Sequence, residues 1–156
     1  MIVLGIDPGT QRVGYGVVKK SGGEFSFVSA GTFRVINRGA AALLEIGSEM
    51  KKIIKKFKPE ALAIEKLYFS KNKKTALRVA EARGVLILAA LESGIKIKEY
   101  GPNEVKTGIA GYGFADKRAV LKMVRLTLRE PLLEMIDDAS DALALAILGA
   151  NDSRER

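Results

Sequence analysis

The sequence predicts a mixed α/β fold: a five-stranded sheet, three strands antiparallel and then two parallel, with helices on both faces. Three observations predict it. The first 35 residues hold three apolar runs separated only by "PGTQR" and "KSGGE", connections that suit hairpins and are too short for crossovers. From about residue 39 the apolar residues recur at helical spacing. Beyond that point helices alternate with short strands, as in a sheet extended by parallel crossovers.

The strands of the meander are residues 2–7, 13–19 and 25–35. Ala40, Leu43, Leu44, Ile46, Met50, Ile53, Ile54 and Phe57 then mark an amphipathic helix over 39–57, closed by Pro59. "ALAIEKL" is a short buried strand, and because a helix leads to it, it should lie parallel to the first strand. A long helix spans about 73–93 and stops at Gly94, and "IKIKEY" alternates as a strand. Helices over 103–110 and 116–129 flank the glycine loop "AGYGFA". Pro131 breaks the chain before a last helix over 137–150. Residues 1–150 therefore read as one domain and 151–156, "NDSRER", as a polar C-terminal tail. The order matches the ribonuclease H-like architecture, although a fold does not by itself establish a function.

Composition narrows the chemistry. Lys and Arg number 26 against 18 Asp and Glu, a net charge of +8. That balance favours a polyanionic partner, nucleic acid first and an anionic membrane surface second. The chain has no Cys and no His. Disulfides, thiolate or imidazole zinc sites, Cys nucleophiles and Ser-His arrangements are excluded. The longest apolar block, "VLILAAL", is far shorter than the ~20 residues that span a bilayer, and no secretion signal precedes it. A cytoplasmic protein that does not enter a membrane is the expectation.

Four carboxylates stand where carboxylates are costly. Asp7 ends the first apolar strand, at "GIDPGT". Glu65 ends the fourth, in "LAIEKLY". Asp138 and Asp141, three apart in "DDASDALALAI", share one face of the last helix, whose stripe continues through Ala142, Leu145 and Leu148. If the first and fourth strands are parallel neighbours, Asp7 and Glu65 emerge at one edge, and the helix can bring its two aspartates over it. Singly, each has an ordinary reading: Asp7 as a turn residue, Asp137 or Asp138 as a helix cap, Glu65 as a partner for Lys. Together, unpaired and buried, they would cost several kcal/mol each unless a cation compensates. All-oxygen donors select Mg²⁺ or Mn²⁺ over zinc, and two such ions about 4 Å apart can drive phosphodiester hydrolysis.

Tyr68 and Phe69 stand beside Lys71, Lys73 and Lys74, a cluster suited to stacking bases and gripping phosphates; Phe69 as core and the lysines as a solvated helix start is the plainer alternative. Lys106 and Lys117 flank the glycine loop and suit phosphate contact, or are ordinary surface charge. The long helix carries a ridge of small residues, Ala76, Ala80 and Gly84, with Leu77, Leu88 and Leu91 alongside. A helix with so little polar surface needs a cover beyond its own sheet, and a twofold partner is the simplest.

The blocks "GIDPGTQRVGYGVV", "AIEKLYF", "NKKTALRVAEARGVLILAA", "YGPNEVKTGIAGYGFADK" and "DDASDALALAI" resemble, in order and spacing, those of the RuvC family of bacterial Holliday-junction resolvases. The resemblance covers essentially the whole chain. It implies a homodimeric, Mg²⁺-dependent endonuclease of recombination and DNA repair, which nicks two strands of like polarity symmetrically at a four-way junction and works with the branch-migration proteins RuvA and RuvB. The family's four catalytic acids fall on Asp7, Glu65, Asp138 and Asp141, leaving Asp137 as a bystander. Its base-stacking aromatic falls on Tyr68, where many relatives carry Phe, and its lysines fall on Lys106 and Lys117. Lys66 stands where many relatives have Gln.

Two other readings follow from the same residues. "GIDPGT" also resembles the phosphate-binding turn of sugar kinases and actin-like ATPases, but those need two such domains and a second glycine-rich loop. A non-catalytic junction-binding module is the other, against which the four intact acids argue.

Overall fold

The computed structural model describes residues 1–67, 73–130 and 137–152, the side chains of Lys73 and Lys74 excepted. Its strands are β1 (Ile2–Asp7), β2 (Arg12–Ser21), β3 (Glu24–Arg34), β4 (Ala61–Glu65) and β5 (Lys96–Tyr100). Its helices are α1 (Ala40–Phe57), α2 (Lys73–Glu92), α3 (Pro102–Ala110), α4 (Lys117–Leu128) and α5 (Asp137–Asn151).

The strands form one sheet in the order β3-β2-β1-β4-β5. β1 pairs antiparallel with β2, and β2 with β3. β4 joins β1 in parallel, and β5 joins β4 in parallel. The expected three-plus-two arrangement is therefore present, with β1 in the middle. β1 and β4 are buried on both faces, which explains why they read as nearly continuous apolar runs.

Pleating sorts the side chains between two cores. Leu4, Ile6, Val17, Leu62 and Ile64 pack beneath α1 and α2. Val3, Ala61 and Ala63 face the opposite way and pack against α3, α4 and α5. α1 ends because Lys58 turns left-handed (φ 48°), its N–H donating to the Ile54 carbonyl at 2.8 Å, and Pro59 cannot continue the helix.

α5 lies closer to the sheet than any ordinary side chain would permit. A Cβ on Gly5 would overlap the Ala142 carbonyl oxygen, and one on Gly14 would overlap that of Asp138. Gly5 and Gly14 thus form a seat that fixes the height and position of α5. Its far end is tied down as well. Lys20 Nζ donates to Asn151 Oδ1 at 2.9 Å, Tyr100 donates its hydroxyl proton to Asp152 at 2.9 Å, and Lys98 Nζ donates to the Gly149 carbonyl at 3.0 Å.

Candidate active site

Asp7 shares the face of β1 that carries Val3 and Gly5, the face covered by α5. Ile6 pairs with Ile64 across the parallel β1–β4 ladder, so Asp7 and Glu65, each the next residue, end neighbouring strands at the same edge. Asp7 lies opposite Gly14 on β2. Gly14 in turn touches the backbone of Asp138, so the glycine seat carries the first turn of α5 to the strand ends.

The four carboxylates feel one another. Burial, followed by the charges of Asp141, Asp138 and Glu65, pushes the Asp7 carboxyl up to about 7, against a smaller lowering by Lys117. Glu65 is raised by burial and then by Asp141, with Lys106 opposing. Asp141 is raised by burial, with Lys117 opposing. Loss of water disfavours the ionised form, and the neighbouring negative charges add to the effect.

Cations are already placed among these acids. Arg12, the first residue of β2, forms an ion pair with Asp138. Lys117 Nζ stands 3.4 Å from Asp141 and 3.9 Å from Asp137, and Asp141 foremost holds its ammonium above the usual lysine range. Lys117 is placed there because Asp116 caps α4, accepting from the Ala119 N–H at 2.7 Å. Arg83, reaching from α2, donates to the Glu65 carbonyl at 2.8 Å and pairs with Glu99. It pins the end of β4 without consuming the Glu65 carboxylate.

Among the described residues, no three Asp, Glu, His or Cys side chains stand close enough together to form a ready-made metal cage. The donor chemistry nevertheless fits a hard divalent cation. Four carboxylates come to one edge from β1, β4 and α5, burial raises the pKa of three of them, and Lys117 and Arg12 supply part of the positive charge that a metal would supply more strongly.

Of the other residues singled out in the sequence, Lys106 and Lys117 both lie at the carboxylate edge, where Glu65 and Asp141 respectively feel their charge. Tyr68, Phe69 and Lys71 lie outside the described residues, as do the side chains of Lys73 and Lys74. On α2, Ala80 and Gly84 are exposed, Ala76 is half-buried, and Leu77, Leu88 and Leu91 extend the exposed apolar stripe.

Several residues that shape the site were not apparent in the sequence. Arg12 and Arg83 carry no sequence signal that sets them apart from the other cations. An open cleft of about 1140 Å³ adjoins Asp138 and gathers Arg12, Arg34, Arg38 and Arg78, with Glu81 as an opposing acid. Its rim is rigid: Glu45 accepts from the Ile36 and Asn37 N–H groups at 2.9–3.1 Å and from the Asn37 side chain at 2.9 Å. These bonds lower the Glu45 carboxyl pKa, that from the Asn37 N–H most strongly. The glycines at alternate positions in "VGYGV" were the visible signal for the α5 seat.

Residues 3–149 match the family model described as crossover junction endodeoxyribonuclease RuvC. The crossover junction endodeoxyribonuclease RuvC of Ruminiclostridium cellulolyticum is 46% identical over 156 residues, 99% of this chain and 94% of that protein. That of Roseiflexus sp. is 47% identical over 146 residues, 92% of this chain and 87% of that protein. The solved structure of Thermus thermophilus RuvC in complex with Holliday junction substrate is 33% identical, with a TM-score of 0.89 over 96% of this chain and 93% of that one. The chain belongs to the RuvC family of metal-dependent crossover junction endodeoxyribonucleases, the Holliday-junction resolvases.

Proposed function

We propose that Asp7, Glu65, Asp138 and Asp141 are the catalytic acids of this nuclease and together hold two Mg²⁺ ions, for which Mn²⁺ substitutes. One observation carries the reading: in a chain of net charge +8, these four carboxylates are brought to one edge by three separate elements, and one of them is pushed up to about 7 by burial and by the other three. An arrangement that costs stability without a cation is the expected form of a site built to receive one.

When bound, the metal supplies an activated water and stabilises the leaving oxygen of the phosphodiester. The chain's own residues do the rest. Asp7, on the central strand, would hold the metal through its ionised carboxylate, whose proton its raised pKa of about 7 lets it lose near neutrality. Lys106 and Lys117 hold phosphate oxygens at the same edge. The arginine cleft beside Asp138 guides the strand's backbone, and Tyr68 stacks on a base near the crossover, with Phe69, Lys71, Lys73 and Lys74 supporting the grip. A twofold partner docked on the α2 stripe of Ala76, Ala80 and Gly84 provides the second active site that symmetric nicking needs. The setting is the bacterial cytoplasm, with RuvA and RuvB as partners.

The test is incubation with a synthetic four-way junction and with linear duplex, each with and without Mg²⁺. Paired nicks in the junction alone, and only with metal, are expected. Metal-independent cutting, or equal cutting of the duplex, overturns the reading.

A further inference from the structure

Phe114 is 98% exposed and Tyr112, two residues earlier, is 54% exposed. A large aromatic side chain held in water is unfavourable, and here it is not a matter of a loose loop. Gly111 closes α3 in a left-handed conformation (φ 85°), its N–H donating to the Thr107 carbonyl at 2.9 Å. The Ala115 N–H donates to the Tyr112 carbonyl at 3.3 Å, closing a tight turn with Phe114 near its tip. Ala115 is buried, and Asp116 is committed to capping α4. Gly113 lies against α3, where a Cβ would meet Thr107 Oγ1 at 3.3 Å. Anchors on both sides therefore project the Phe114 ring outward.

The turn also sits in a telling place. It joins α3, whose Lys106 is felt by Glu65, to α4, whose first residue Lys117 bonds Asp141. The turn thus links two helices that each bring a lysine to the carboxylate edge. The α2 stripe, proposed above for a twofold partner, belongs to the opposite face of the sheet from α3 and α4, which carry this turn.

We propose that Phe114 is a second base-contacting residue, which stacks on a nucleobase of the junction close to the scissile phosphate, with Tyr112 supporting it. This rests on the nuclease reading above. An exposed π-face beside lysines is the combination that binds unstacked bases, since every base offers a face to stack and every phosphate a charge to hold. The nucleotides at a four-way crossover are those most easily unstacked.

The experiment uses four-way junctions carrying 2-aminopurine at each position flanking the crossover, titrated with the full chain in metal-free buffer. At one position, wild-type protein should change the fluorescence, and Phe114→Ala should leave it at the free-DNA level. Junction affinity by anisotropy should fall about tenfold in Phe114→Ala and in Phe114→Leu, which keeps apolar bulk but no π-face, and Phe114→Trp should restore both signals. Thermal stability should not change, because the ring touches nothing in the fold. If wild type cuts the junction but Phe114→Ala matches it in fluorescence and affinity, this assignment alone is overturned. If Phe114→Ala instead alters the sedimentation of the free protein, the ring belongs to a protein contact and the assignment is equally overturned. A wild type that neither binds nor cuts junctions removes the nuclease reading and this one with it.

Discussion

Arg12, at the start of β2, is ion-paired with Asp138, 126 residues further along the chain in the first turn of α5. The pair is partly exposed, 44% and 27% for the two side chains, so it contributes at most about 1 kcal/mol to stability. Its weight is electrostatic: it occupies one of the four acids with an internal cation.

A metal that claims Asp138 competes with Arg12 for its negative charge. Arg12→Ala should therefore bind Mg²⁺ several-fold more tightly by calorimetry, with a melting temperature within a few degrees of wild type. An unchanged Mg²⁺ affinity would show that Arg12 and the metal do not compete at Asp138.

Asp7 sets a pH dependence whose sign is fixed. Its folded-state pKa, about 7, lies above the ~3.9 of an unfolded Asp. The protonated form is thus favoured by folding, and that stability is fully present below about pH 4 and is lost as pH rises through about 7. Asp7→Asn should melt several degrees above wild type at pH 8 in EDTA, with the difference vanishing near pH 4. It should also lose Mg²⁺-dependent cutting while binding junctions as well as wild type or better, since one negative charge facing the phosphates is gone. Asp137→Asn is the control and should cut normally. An Asp7→Asn protein that resolves junctions at the wild-type rate would sink the mechanism.

The seat of α5 can be tested by adding single methyl groups. Gly5→Ala drives a Cβ into the Ala142 carbonyl and should cost about 1–3 kcal/mol, lowering the melting temperature and, by lifting Asp138 and Asp141, slowing cutting. Gly84→Ala meets no atom within 4 Å and should be neutral or stabilising by up to ~1 kcal/mol in the monomer.

Gly84→Glu instead places a charge on the exposed α2 stripe. Sedimentation should show monomers at micromolar concentration that fold normally and no longer resolve junctions. A dimer that persists would move the twofold contact elsewhere.

The arginine cleft predicts a salt signature. Among the described residues, Arg34, Arg38 and Arg78 have no ion-pair partner. Replacing all three with Ala should lower the slope of log affinity against log salt by about 2–3, at roughly 0.7–0.9 per phosphate contact. Replacing Lys55 and Lys56, at the other end of α1, should leave the slope unchanged.

Much of this was legible in the sequence because the governing physics is local. Hairpin turns and the switch from period two to period 3.6 marked the ten elements among the described residues, most of them to within a residue or two, and the parallel placement of β4 beside β1 followed from the intervening helix. Asp7 and Glu65 stood out as carboxylates ending apolar strands, and the spacing of Asp138 and Asp141 placed both on one helical face. The tertiary structure alone decided how far apart the four acids stand and which cations answer them. Arg12 meets Asp138 only because Gly5 and Gly14 let α5 descend onto the sheet in one position. Arg34, Arg38 and Arg78 share a cleft only because β3, α1 and α2 converge there. Periodicity is written along the chain, but the distance between charges depends on how closely two backbones can approach, and here that was settled by side chains that are missing.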